Sequence, residues 1–274
     1  MKLATLRLGS STTAAVLDND VLRPLDAPDV GAVLGTDPVV RARPDAAPIP
    51  VEVADFAPPV LAPSAIVCVG LNYLAHISEG NREVPEYPTL FAKFTDALIG
   101  ARDDVVLPAV SAAPDWEVEL AVVVGTAIRR AGVDEARAAI GGFAVLNDIS
   151  LRDWQRRTSQ WLQGKAFERL TPFGPYVVTP DEVDGAEDLE ITCEVDDVVV
   201  QQSRTSDLLF GPAALVSYVS QIRTLRPGDV IASGTPSGVG AARQPPVYLR
   251  PGSVLRSRIE GLGQCVNRCV AEST

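Results

Sequence analysis

Little in this chain suits soft-metal or nucleic-acid chemistry. The four cysteines, Cys68, Cys193, Cys265 and Cys269, form no C-x-x-C pair and have no histidine close by in sequence. Cys265 and Cys269 share a face of an expected strand, too far apart for a comfortable disulfide. Buried thiols in a reducing compartment are the expectation. Basic residues number 24 against 35 acidic ones, a net charge of −11, which argues against nucleic acid or an anionic membrane surface as a partner. No apolar run approaches a bilayer span, and the stretch beginning Met1–Leu6 has no long apolar h-region. A soluble, cytoplasmic protein is expected. The nucleotide-binding spacings G-x-G-x-x-G and G-x-x-x-x-G-K-[ST] are missing. Histidine occurs once, at His76, and lysine only at positions 2, 93 and 165.

What is present is ample core material, 46% hydrophobic residues in a chain of 274. That length suits one large domain with a small appendage. Residues 1–58 read as a small β-rich lobe, with strands over Leu3–Leu8 and Ala14–Leu17. Six prolines between Pro44 and Pro63 make a semi-rigid connection to a main domain over 59–274. That domain opens on a buried strand, Ala65–Gly70. Strand signals recur at Pro88–Phe94, Leu189–Val195 and Val198–Gln202, the last two joined by an Asp196-Asp197 hairpin turn. A helix is expected from Gly211-Pro212 to about Thr224, with Leu215, Tyr218, Val219 and Ile222 on one face. Pro227-Gly228 and Pro251-Gly252 read as matching type II turns.

The centre of the chain is Asp115–Gly125. Its apolar, β-branched second half reads as a buried strand, and alternation puts Glu117 and Glu119 on one face. Two like charges about 6 Å apart repel by roughly 3 kcal/mol at an effective dielectric of 20. A basic partner or a hard cation would relieve this. A strand with one wet face would show the same alternation. Asp148, which ends the next apolar run Phe143–Ser150, tips the balance. A short helix between the runs, capped by Asp134 and stopped by Gly141-Gly142, can set the strands side by side. Three carboxylates without Cys or His suit Mg²⁺ or Mn²⁺, with Ca²⁺ as a third candidate, rather than Zn²⁺.

His76 and Glu79 lie three apart on one helical turn, where a carboxylate can orient an imidazole as a general base. A surface histidine would have the same spacing. Lys93 and Lys165 are isolated lysines in an arginine-rich chain, which points to compact charges. The loop Ile231–Gly240 offers backbone N–H groups and the Thr235 hydroxyl, suited to a carboxylate.

Taken together, Gly70-Leu71-Asn72-Tyr73 through His76 and Glu79, Asp115–Gly125, Asn147-Asp148, Gly164-Lys165, Thr205-Ser206-Asp207 and Gly234–Gly240 resemble the fumarylacetoacetate hydrolase family, from about Ala65 to Arg268. The resemblance implies an α+β, predominantly β fold, a mixed β-roll, usually in a homodimer. It implies Mg²⁺ or Mn²⁺ held by Glu117, Glu119 and Asp148, and a water-activating His76–Glu79 dyad on a lid. Lys165 would stabilise an oxyanion or enolate, and Thr235 would hold the substrate carboxylate. Lys93, Arg152 and Gln160 are further expected substrate contacts. Many members carry Lys-Pro where this chain has Lys93-Phe94.

The expected substrate is a small 2-oxo or diketo acid. The expected reaction is hydrolysis of a C–C bond in an acylpyruvate, as in aromatic compound catabolism. Decarboxylation of oxaloacetate, or isomerisation or hydration of a 2-oxo acid, is the alternative within the family. Non-catalytic binding of a 2-oxo acid is the alternative outside it.

Overall fold

The computed structural model describes residues 1–35, 42–43, 45–79 and 83–273; Pro44 lies outside the described residues. The longer strands are β1 (Lys2–Leu8), β2 (Ser11–Asp18), β3 (Val21–Pro24), β4 (Ile66–Gly70), β5 (Thr89–Lys93), β6 (Val118–Val124) and β7 (Ile140–Asn147). They continue with β8 (Thr171–Val178), β9 (Glu190–Val195), β10 (Val198–Arg204), β11 (Val230–Ala232), β12 (Val254–Ile259) and β13 (Gly263–Ala271). The helices are α1 (Leu74–Glu79), α2 (Val133–Ala138), α3 (Arg152–Gln155), α4 (Leu162–Lys165) and α5 (Pro212–Ile222).

A 12-stranded mixed sheet runs in the order β3-β2-β1-β8-β7-β6-β11-β4-β5, with short strands at Ile49–Pro50, Phe56–Ala57 and Leu98–Ile99. Only the β11–β4 contact in that row is parallel. A second sheet of five strands, β10-β9-β12-β13 and Val105–Leu107, lies over it. The result is α+β and predominantly β, as the resemblance implied. Strands β1–β3 continue the main sheet, because β1 pairs with β8 through Lys2–Val178 and Leu3–Val177.

Strand β6 is buried on both faces, which explains its unbroken apolar run. Val118, Leu120, Val122 and Val124 pack with Ile191, Cys193 and Leu255 of the second sheet. Ala121 and Val123 enter a separate cluster with Ala144, Leu146 and Phe173. At about 25 cal/mol per Å² of apolar surface, each such valine or leucine contributes roughly 1.5–3 kcal/mol. Any polar group at the end of this strand is therefore held by a rigid frame.

Three local expectations are corrected. Helix α2 begins at Val133 with Gly132 as its cap, and Glu135 rather than Asp134 accepts the Gly132 N–H at 3.1 Å. Gly141 and Gly142 belong to β7, and the helix ends before them. A Cβ on Gly141 would lie 2.7 Å from the Gly125 Cα, so these two segments need glycine to approach. In α5 the buried face carries Ala213, Leu215, Val216, Val219 and Ser220, whereas Ile222, the last helical residue, is exposed. The Asp196-Asp197 turn is as expected, with positive φ at both residues joining β9 to β10. All four cysteines are free and buried. Among the described residues no helix is long and apolar enough to cross a membrane.

Candidate active site

Strands β6 and β7 pair antiparallel, with Val118 opposite Asn147 and Glu119 opposite Leu146. This register brings Asp148, just beyond β7, to the Glu pair. One oxygen from each of Glu117, Glu119 and Asp148 lies within 4.8 Å of the others. All three are buried, at 6%, 1% and 0% exposure, so a wet strand face is ruled out.

Three basic side chains enter the cluster. Lys165, at the end of α4, donates to Glu117 Oε2 and Asp148 Oδ2, each at 2.7 Å. Lys93 Nζ lies 2.8 Å from Asp148 Oδ1, an ion pair between two fully buried side chains. Its ammonium donates to the Lys165 carbonyl as well, so Lys93 orders both Asp148 and Lys165. Arg152 Nη1 lies 2.7 Å from Glu117 Oε1, and its Nε donates to Asp115 Oδ2 at 2.8 Å. Asp115, fully buried, is a member that sequence reasoning missed.

Four carboxylates, counting Asp115, thus face three cations, leaving one negative charge in excess. The excess falls on Glu119, which has no basic partner among the described residues and accepts only the Gly234 N–H, at 2.8 Å. Burial, then the charges of Asp148 and Glu117, push its carboxyl well above the ordinary range. For Glu117 burial acts the same way, but Lys165 and Arg152 overcome it and hold the group at about 2. Burial opposes the Lys165 ammonium, yet Asp148 and Glu117 keep its pKa above the ordinary value. One strand face therefore holds two glutamates of opposite character. A buried oxygen-only set with one uncompensated charge fits a hard divalent cation.

His76 and Glu79 meet on α1, with Nδ1 and Oε2 3.0 Å apart. Glu79 also accepts the Gly238 N–H at 3.0 Å. Against burial, the bonds from His76 and Gly238 hold its carboxyl below the usual range. An ionised carboxylate can only accept, so the proton of this hydrogen bond sits on Nδ1 and the lone pair on Nε2. A proton gained at Nε2 would help to hold the Glu117 carboxyl low, so the dyad lies within electrostatic reach of the triad.

The glycine-rich loop after β11 serves this chain's own carboxylates. Gly234 binds Glu119, Gly238 binds Glu79, and the Gly240 and Ala241 N–H groups bind the two oxygens of Asp115 at 2.7 and 3.0 Å. The Thr235 hydroxyl is engaged too, donating to the Val118 carbonyl and accepting from Gln201 Nε2. Gln201 Oε1 in turn accepts the Val118 N–H, and Asn147 Oδ1 accepts that of Glu117. These two buried amides brace the backbone between the two glutamates. Gln160 is exposed in a turn where its backbone bonds Thr158. Arg152 keeps Nη2 buried and unpartnered.

Known proteins resemble this chain in sequence and in fold. The Fumarylacetoacetate (FAA) hydrolase C-terminal family model matches residues 65–270. The chain is 45% identical over 217 residues to human oxaloacetate tautomerase FAHD2A, mitochondrial, covering 78% of this chain and 69% of that protein. The structure of 5-carboxymethyl-2-hydroxymuconate delta-isomerase from Mycobacterium smegmatis superposes with a TM-score of 0.84 at 31% identity, over 99% of this chain and 100% of that one. Maleylpyruvate hydrolase from Sphingobium sp. SYK-6 gives 0.77 at 27% identity, with the same coverage. On the match over 65–270 and the carboxylate cluster within it, the chain belongs to the fumarylacetoacetate hydrolase family.

Proposed function

We propose that the site interconverts the enol and keto forms of a small 2-oxo dicarboxylic acid of the oxaloacetate type, with a divalent cation held by Glu117, Glu119 and Asp148. The observation that carries this reading is the buried, oxygen-only triad with one negative charge in excess. The choice of tautomerisation over C–C hydrolysis is supported by the name of the relatives at 45% identity. A cation bound there would polarise the 2-oxo acid and so acidify the adjacent carbon.

The chain's own groups supply the rest. His76 Nε2, with Nδ1 fixed by Glu79, is the proton carrier for the carbon or the enol oxygen. The Lys165 ammonium offsets negative charge that develops on the substrate oxygen. Arg152 Nη2 is the free donor beside the triad and takes the substrate carboxylate. The engaged Thr235 hydroxyl is left to brace Val118.

Hydrolysis of an acylpyruvate is the second reading, favoured by the same dyad, since an oriented imidazole can also activate water. The test is the decay of enol oxaloacetate absorbance with Mg²⁺ or Mn²⁺, beside cleavage of acetylpyruvate. Cation-dependent ketonisation faster than cleavage supports the first reading. Cleavage without ketonisation supports the second, and full activity after chelation refutes both.

A further inference from the structure

We infer that Trp161, with Phe91, forms the wall that limits the size of the substrate's carbon chain. This rests on the proposed 2-oxo acid chemistry and deepens it to a substrate class: short, unbranched 2-oxo acids. Phe91 and Lys93 are two apart on β5 and point the same way. The Lys165 ammonium lies 4.9 Å from the Phe91 ring centroid. The Trp161 ring meets Phe91 edge-on, at 5.6 Å and 72°. Both rings are only partly buried, so they lead from the buried ammonium toward solvent.

The indole also abuts Gly70. A Cβ built on Gly70 would lie 2.3 Å from Trp161 Cζ3 and 2.9 Å from Cη2. The indole thus occupies the room a side chain at position 70 would need. Gly70 ends β4, four residues before the helix that carries His76. Trp161 stands four residues before Lys165, at the start of α4. One rigid ring therefore touches the strand leading to the dyad and meets, edge-on, the ring beside Lys165. A flat apolar surface there accepts a short carbon chain and leaves no room for a bulky one.

The test compares ketonisation of enol oxaloacetate and of enol phenylpyruvate in wild type and Trp161→Ala. The phenylpyruvate to oxaloacetate ratio of kcat/KM should rise roughly tenfold or more, the scale of pocket-size discrimination. A ratio unchanged within twofold in a folded, cation-binding variant overturns the inference. Trp161→Leu provides the same comparison should the alanine variant fail to fold.

Packing is checked separately. Gly70→Ala should lower Tm and activity in wild type but cost little in Trp161→Ala, because the three nearest atoms to the added Cβ all belong to the indole. Equal losses in both backgrounds contradict the wall. Oxalate with Mg²⁺ should perturb tryptophan emission in wild type, and Trp161→Phe should lose most of that change. Retention of the full change also contradicts the wall. A wild type that ketonises neither acid refutes the reaction proposed above, while the Gly70 cycle and the oxalate signal still judge the wall.

Discussion

The floor of the site and the α1 segment above it are built on opposite principles. The floor is a charge cluster set in the core, where Glu117, Glu119 and Asp148 are at most 6% exposed and meet Lys93, Lys165 and Arg152. The α1 segment is six residues long, and the His76 and Glu79 side chains are 18% and 24% exposed. Two hydrogen bonds to Glu79 tie the dyad together and to the glycine-rich loop. A floor of this kind resists reorganisation, as the proposed cation site requires. Ile77, 1% exposed, anchors α1 in the core, while the dyad stands on its more exposed face. Changes in the floor should therefore register in stability and cation binding, and changes in α1 in turnover.

The largest expected effect is on turnover. His76→Ala should lower kcat by about 10²–10⁴, the usual range for a positioned proton carrier. Its cation affinity should stay at the wild-type level by calorimetry. A loss of cation binding in this variant would break the division between the two regions.

Next comes the floor. Lys165→Met strips the shared cation from Glu117 and Asp148, and breaking such a buried pair costs about 3–5 kcal/mol. Thermal unfolding should show that loss without added metal and a partial recovery with Mg²⁺, which supplies replacement charge. Gly238→Ala should have a smaller effect. Gly238 has φ +101°, and a Cβ there would lie 2.2 Å from the Val200 carbonyl oxygen. The loop must move, Glu79 loses its N–H donor, and strain of order 1–3 kcal/mol is stored. kcat should fall by less than in His76→Ala, with Tm lowered modestly.

The smallest effect is on pH dependence. The Glu119 carboxyl titrates above its unfolded value of about 4.3. Between that value and its raised one the native state binds more protons than the unfolded state. Metal-free stability should therefore decline as pH rises through this window. Glu119→Gln removes the titrating group, so its denaturation midpoints should lack that component of the decline. A wild type and variant with parallel pH profiles would show that Glu119 is not the group in excess.

Much of the floor was legible in the sequence because β structure has a period of two. That period put Glu117 and Glu119 on one face, and the ends of two adjacent apolar runs brought Asp148 to them. The isolated lysines pointed correctly to compact charges, now seen at the cluster. What stayed hidden depends on distant segments. Asp115 is bound by Gly240 and Ala241, more than 120 residues on, and Gln201 reaches Val118 from the second sheet. No local pattern encodes such contacts. The loop Gly234–Gly240 was read correctly as a row of donors, but its carboxylates belong to this chain rather than to a ligand. Likewise, nothing near the N-terminus announced that β1 would pair with a strand some 170 residues away.

The most direct test of the cation site is titration of metal-free protein with Mn²⁺ by calorimetry, for wild type and Glu119→Gln, with enol oxaloacetate turnover followed in the same samples. The account predicts one cation per chain in wild type, binding weakened at least roughly tenfold in the variant, and turnover that follows occupancy. Wild-type protein that binds no cation, or a variant that binds as tightly as wild type, would contradict it.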